Sequence, residues 1–447
     1  MFKRVVKFCR LAIVLPIFLL RPAFPQAPVD LQAVLERLDK LEDENRRLQD
    51  EIRKLRSELT ANTSPNSSND AAERIEVQES RTAELDQTKV GSSQRFPVSL
   101  TGMLLFNAFR NGNNSGTAEY PTVGSLARAP ASDGGTLRQT VLGLKFNGPD
   151  LPGGGKASGS LYMDFFSGTT APNNNLIHLR IATLDLAWKN TTISVGQDKP
   201  IISPREPQSL AQVGISPLTA AGNLWDWNPQ ARIEHRFSFG DGMMLRAQAG
   251  IYETTENYSA VLPQEYSGTL ERSRPSYEGR FEFSAGKNNW RLELAPGFHL
   301  GTTHVGGRSI DSRIASFDWL LRPVSQLEFT GEFFRGQDVA GLGALQGFTV
   351  LESAIVKPVH SNGEWGQLAF FPASRLSFHI YAGDQSNRVA DLVPNSITRN
   401  FIYAGNLIWK LAPNVRAALE ASQVRTEYNG AGLRLNNHYD LALAYLF

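Results

Sequence analysis

The chain has 447 residues, 41% of them hydrophobic and 20% charged, enough for two or three soluble domains or for one large β structure. Its 45 basic and 44 acidic residues leave a net charge of +1, and no basic block or stacking motif accompanies them, so nothing points to nucleic acid as a partner. One cysteine in the whole chain excludes a disulfide framework.

Residues 1–27 place Lys3, Arg4, Lys7 and Arg10 ahead of an apolar run from Leu11 to Leu20, then break at Pro22 and Pro25. That is the order of a secretory signal peptide, and the run is short for a bilayer span. Cys9 lies inside it, so the mature chain is expected to carry neither a disulfide nor an acylated cysteine. No later apolar run is long enough for a transmembrane helix, which leaves secretion or a β-barrel as the destination.

Residues 28–60 predict a coiled coil. Leu31, Val34, Leu38, Leu41, Asn45, Leu48, Ile52, Leu55 and Leu59 step alternately by three and four, with charged residues between. Asn45 is the polar member of this seam, and such an asparagine fixes register by facing a partner asparagine. Self-association in two or three strands is expected, over a length of about 43 Å at 1.5 Å per residue. Residues 61–96 read as a linker, opening with a Ser/Asn/Thr-rich stretch around Pro65.

From Pro97 the period changes to two, and sixteen strands are predicted: 97–109, 137–147, 157–167, 178–188, 191–198, 229–239, 243–252, 275–285, 289–300, 309–321, 325–335, 363–371, 375–383, 398–409, 414–426 and 434–447. In the last of these Tyr439, Leu441, Leu443, Tyr445 and Phe447 share one face, against Asn436, His438, Asp440, Ala442 and Ala444 on the other. One face suits lipid and the other water, and Phe447 ends the strand, so it is assigned a part in barrel assembly. Connections alternate short and long, as in an outer-membrane barrel with short periplasmic turns and long outer loops. The predicted fold is all-β: a sixteen-stranded antiparallel transmembrane barrel over 97–447, preceded by the helical coil. Trp188, Trp290, Trp319, Trp409, Tyr445 and Phe447 fall near strand ends and suggest an aromatic girdle.

Alternation also turns Arg232, Arg236, Arg246, Arg280 and Arg291 toward the lumen from the sixth to ninth strands. Guanidinium groups match carboxylate and phosphate oxygens, so this wall is the candidate pore lining for anionic solutes. Glu234, Glu278, Glu282 and Glu293 share those strands, which leaves internal ion pairing as the open alternative. Glu328 and Glu332 are expected to form an opposing acidic wall. Residues 199–228, broken by Pro200, Pro204, Pro207 and Pro217, predict a long loop that folds inward as a constriction or outward as a lid. Folded inward, it carries Lys199, Arg205, Glu206 and Asp226 toward the basic wall.

Enzymatic signals are lacking: Gly153-Gly154-Gly155-Lys156 has the wrong spacing for a phosphate loop, the seven histidines show no metal-ligand spacing, and no serine elbow is found. No cofactor, metal or catalytic residue is assigned. Two function classes remain: a porin for small hydrophilic solutes, or a structural anchor with a plugged barrel and a coil that contacts the cell wall.

The signal-like start, the coil, the Ser/Asn linker, sixteen strands and terminal Phe447, together with Val195-Gly196-Gln197 before the long loop and Asn228-Pro229-Gln230 after it, resemble the DcaP-like outer-membrane porins. The resemblance implies a homotrimeric channel of the bacterial outer membrane with a periplasmic coiled coil, taking up small negatively charged molecules such as dicarboxylates. Expected partners are further copies of the chain, outer-membrane lipid, the barrel-assembly machinery, small-molecule solutes and, through the coil, peptidoglycan. The five arginines come from alternation alone and not from this resemblance.

Overall fold

The computed structural model describes Arg47, Asp50, Lys54 and residues 98–447, apart from 168–174, 253–270, 273–274, 288, 306–307 and 352–354. The chain divides into two compact units, Met1–Val77 and Gln78–Phe447. In the first, Arg47, Asp50 and Lys54 are helical and exposed. The signal segment 1–27, the rest of the 28–60 coil with Asn45, and the linker 61–96 lie outside the described residues.

The second unit is a closed antiparallel barrel of sixteen wall strands. They are β1 (Val98–Asn111), β2 (Val141–Leu151), β3 (Gly155–Ser167), β4 (Leu176–Ala187), β5 (Thr191–Asp198), β6 (Asn228–Gly240), β7 (Met243–Tyr252), β8 (Ser276–Lys287), β9 (Trp290–Val305), β10 (Arg308–Val324), β11 (Leu327–Gln337), β12 (His360–Ala373), β13 (Leu376–Asn387), β14 (Ile397–Ala412), β15 (Val415–Tyr428) and β16 (Gly432–Leu446). Each pairs with its sequence neighbour, and β16 returns to β1 from Met103↔Leu446 to Asn111↔His438. Closure removes the sheet edges that an open sheet would leave unpaired.

The seam is completed below the last strand by Phe447. Gly102 N–H donates to Phe447 O at 2.8 Å, and Phe447 N–H donates to Gly102 O at 3.1 Å. A Cβ at Gly102 would stand 2.4 Å from Val141 O and 2.9 Å from the Phe447 ring, so only glycine allows this approach. The Tyr445 and Phe447 rings stack with centroids 6.4 Å apart.

Side chains sort by alternation, as period-two reading requires. On β16, Tyr439, Leu441, Leu443 and Tyr445 are exposed outward while Asn436, His438, Asp440, Ala442 and Ala444 are buried inward. A soluble sheet would bury its apolar face; here that face is the outer one, which is what hydrocarbon around the barrel stabilises. Trp290 and Trp409 are exposed at strand ends, whereas Trp319 is half-buried, stacked on Phe317 at 6.2 Å.

The wall departs from the predicted strands in one place of consequence. β2 begins at Val141 rather than at 137, because Thr140 N–H turns back to Leu137 O at 3.0 Å. The upper part of β1, Asn107 to Asn111, pairs instead with a short strand, Ser132–Thr136. The break turns Gln139 into the barrel, fully buried. Leu137 and Phe146 are both exposed although an odd number of positions separates them, so the alternation slips by one across the kink.

Candidate pore constriction

The connection between β5 and β6 runs from Lys199 to Trp227, one residue shorter than expected because Asn228 already opens β6. Its four prolines deny it a continuous ladder, and its backbone groups need other partners. Polar side chains of the wall supply them. Ile201 N–H donates to Glu278 Oε2 at 2.7 Å, Gln208 N–H to Gln367 Oε1 at 2.7 Å, and Val213 and Gly214 N–H to Gln139 Oε1 at 2.7 and 2.8 Å. In the other direction Asn107 Nδ2 donates to Leu210 O at 2.9 Å, Asn406 Nδ2 to Gln208 O at 2.8 Å, and Asn400 Nδ2 to Ala220 O at 2.9 Å. These partners stand on β1, β8, β12 and β14 and in the kink before β2, so the loop crosses the lumen from one side of the wall to the other.

Apolar contacts hold the same path. Ile202 and Leu224 pack with Ile314 of β10, Phe334 of β11, and Val339 and Leu342 of the loop that follows β11. Leu218 and Ala221 pack with Trp365, Tyr381, Ile402 and Val424, while Leu210 joins Leu105, Ala418, Ala442 and Ala444. Gly222, at φ 99°, lies so close to β12 that a Cβ would meet Glu364 O at 2.3 Å. Each fully buried aliphatic side chain contributes about 1.5–3 kcal/mol, so the loop is fixed on several sides.

The predicted arginines all project inward, alternating with outward Ile233, Phe237, Phe281 and Phe283. They are not free cations. Arg236, Glu234, Arg246, Glu282, Arg280, Asp318, Arg205, Glu293 and Arg291 form one continuous chain of ion pairs. Arg232 pairs separately with Asp198 at 2.6 Å. Internal pairing, left open by the sequence, is therefore present throughout this wall.

The layering of those pairs matters more than their existence. Arg291 is 59% exposed over Glu293 at 3%, Arg236 49% over Glu234 at 14%, and Arg322 41% over Glu328 at 7%. The carboxylates lie against the wall and the guanidiniums stand between them and water. The more exposed end of each of these three pairs is therefore the positive one.

Three assignments need correction. Arg280 faces inward but is fully buried, with Nε donating to Asp318 Oδ2 at 2.7 Å, Nη1 to Gln248 Oε1 at 3.0 Å and Nη2 to Glu282 Oε2 at 2.7 Å. Covered by the long loop, it is a strut rather than pore lining. Glu328 and Glu332 form no opposing acidic wall: Glu328 lies under Arg322, and Glu332 is buried beneath Ser203 and Trp365, which both donate to it. β11 is also only three strands from β8, on the same side of the barrel.

Among the loop residues, Arg205 reaches the arginine wall, with Nε 2.9 Å from Asp318 Oδ1 and Nη2 on Glu293. Burial would lower its pKa, but Asp318 and Glu293 more than offset this and hold it above the ordinary value. Lys199 Nζ pairs with Glu206 Oε2 at 2.6 Å, and Ser216 donates to the same carboxylate at 2.5 Å. Burial would raise the Glu206 pKa; Lys199 and Ser216 outweigh it and hold the group below the carboxylate range. Asp226 sits at the loop's far leg, where its Oδ1 accepts from Trp227 N–H at 2.9 Å. There Trp227 stands edge-on to Trp225 at 4.8 Å and under the Arg180 guanidinium at 4.6 Å.

Sequence reasoning missed the receptors Asn107, Gln139, Gln367, Asn400 and Asn406, and it missed Asp318. Inward parity between Phe317 and Trp319 marks Asp318; a run of inward amides was the available sign of a lumen built to hold backbone.

No protein-family model matches the sequence, and no curated protein sequence matches it. Solved structures do. The outer membrane channel DcaP of Acinetobacter baumannii is similar at 14% identity and a TM-score of 0.66, covering 78% of this chain and 97% of that one. An anion-selective porin from Comamonas acidovorans is similar at 13% identity and a TM-score of 0.54, covering 78% and 99%. The barrel has the fold of outer-membrane channels. At these identities the likeness concerns the fold, and the chemistry rests on the residues above.

Proposed function

We propose that the protein is an outer-membrane porin through which small hydrophilic, carboxylate-bearing anions diffuse, with the loop from Lys199 to Trp227 as its constriction and the coil in the periplasm. The observation that carries this reading is the layering of Arg236, Arg291 and Arg322 over buried carboxylates, which presents N–H donors to water. The likeness in fold to the anion-selective porin from Comamonas acidovorans supports it. A homotrimer, suggested by the resemblance to DcaP-like porins and by the seam around Asn45, completes the assembly.

The test is the reversal potential of purified protein in a planar bilayer under a potassium chloride gradient. A potential of anion-selective sign is expected. A cation-selective sign overturns the anion wall, and a silent bilayer from folded protein favours the plugged anchor, the reading to which the apolar packing of Ile202, Leu224 and Leu342 inside the lumen lends weight.

A further inference from the structure

Arg416 is the second residue of β15, just past the short turn that joins β14 to it. On the same strand Leu419 is exposed outward and Ala418 is buried, so alternation turns Arg416 toward the lumen. It forms no ion pair among the described residues, and its Nε is buried without a hydrogen-bond partner. Its inward neighbours offer it no carboxylate: Lys410 stands opposite on β14 and Ala444 opposite on β16. Glu420, the next acidic residue along β15, already accepts from Ser209 at 2.6 Å, Tyr381 at 2.8 Å and Asn406 at 3.0 Å. The inward arginines of β6 to β9 each hold a carboxylate. Arg416, across the closed ring from β7, holds none.

Around Arg416 the inward face turns apolar. Ile408 and Ala418 stand one row above Lys410 and Arg416, and Leu446 pairs with Met103 one row below Ala444 and Leu105. Met103, Ile408 and Leu446 are half-buried, and with Val213 they pack against Leu210 of the constriction loop and the alanines beneath it. Those small side chains make room for the loop. Arg416, one inward position nearer the short turn than Ala418, borders that packing on its periplasmic side. An unpaired guanidinium beside apolar surface is costly, and an anion that carries its own apolar body relieves both halves of the arrangement.

We propose that Arg416 and the half-buried Met103, Ile408 and Leu446 form a lumenal site for monocarboxylates with an apolar body, the guanidinium taking the carboxylate and the alkyl part lying along Ile408. The inference deepens the porin reading and rests on it, since it needs a lower lumen open to the periplasm. Ile408 is the diagonal neighbour of Arg416, at a spacing of about 7–8 Å that a chain of about six carbons spans. At the β6 to β9 wall an incoming anion competes with carboxylates already held there; at Arg416 it displaces none. A fully hydrophilic anion would use the guanidinium and leave the apolar bed in water, and a neutral apolar solute would leave Arg416 unpaired.

Block of the chloride current through purified full-length protein in a planar bilayer tests this, with sodium hexanoate and sodium gluconate as probes of equal charge and carbon number, one with an apolar body and one without. Hexanoate is expected to block at about tenfold lower concentration than gluconate, a few half-buried methylenes contributing about two- to fourfold each. Arg416→Gln should raise the hexanoate concentration needed by about tenfold or more, and Arg416→Lys, which keeps the charge, by less. Ile408→Thr should close most of the gap between the two probes with Arg416 intact. Should Arg416→Gln not fold, Ile408→Thr and the wild-type comparison still decide. The proposal is overturned if both probes block the wild type equally, if hexanoate blocks Arg416→Gln as before, or if Ile408→Thr leaves the gap unchanged. A silent bilayer removes the porin reading and this site with it, whereas a conducting channel with equal block removes the site alone.

Discussion

Arg205 and Asp318, 113 residues apart in the chain, meet with Nε 2.9 Å from Oδ1 and so tie the inward loop to β10. Arg205 is also bound to Glu293, while Arg280 approaches Asp318 from the wall side at 2.7 Å. The loop and the wall therefore share one carboxylate, with a guanidinium from each side dividing it.

Arg205→Met should free that leg of the loop. Loss of one member of a buried pair costs about 3–5 kcal/mol when its partner is left alone, and less here because Asp318 keeps Arg280 and Glu293 keeps Arg291. A wider, noisier single-channel conductance and a lower unfolding midpoint are expected, and Arg205→Lys should restore less than half of either. Unchanged conductance would place the aperture elsewhere.

Arg236→Gln with Arg291→Gln removes two water-facing charges while keeping a polar, though shorter, side chain at each position. Selectivity should shift toward cations at 0.1 M salt, and the shift should fade near 1 M, where the screening length is about 3 Å. Arg280→Gln should instead lower folded yield, since it strips three acceptors of a fully buried donor. A selectivity shift from Arg280→Gln without loss of fold would show that it lines water after all.

The pH dependence of the Lys199–Glu206 contact follows from its sign. Glu206 is held below the carboxylate range, so its contribution is fully present above the unfolded carboxylate pKa of about 4.3 and is lost only as pH falls through its own lower value. Conductance should therefore be flat from pH 7 to about 5, and Glu206→Gln at neutral pH should reproduce the acid-state trace. A step near pH 6 in the wild type, absent from Glu206→Gln, would contradict the assignment.

Deletion of Phe447 should lower the fraction of heat-modifiable folded barrel, since it removes both hydrogen bonds that close the seam at Gly102. Gly102→Val, which forces a Cβ against Val141 O, should do the same with the terminus intact. If both variants assemble at wild-type yield, closure does not depend on this contact.

Removal of residues 31–59 should weaken or slow oligomer formation while each barrel still folds, as read by cross-linking and thermal dissociation. An oligomer of unchanged stability would assign the coil another role.

The wall was legible because alternation is a local signal: β5 and β7 fall on the residues expected, and the lipid-facing Leu441 and Leu443 could be assigned without any tertiary knowledge. Which inward arginine meets water was not legible. Arg280 and Arg291 have the same parity and similar neighbours, yet one is sealed under the loop and the other is 59% exposed. That difference is made by Ile201 and Arg205, some eighty residues earlier, and no period in β8 or β9 encodes it. The kink that aims Gln139 inward escaped for a related reason, as it arises from a change of pairing partner along β1.

Asn400 and Asn406 grasp the loop by its carbonyls, which every residue type carries, and Gln139 grasps it by N–H groups, which every type but proline carries. Substitution at loop positions whose side chains neither pack nor pair can therefore change what the loop displays while its course stays the same. On the porin reading, a lineage built on this scaffold is free to retune its selectivity at those positions without first having to rescue the fold.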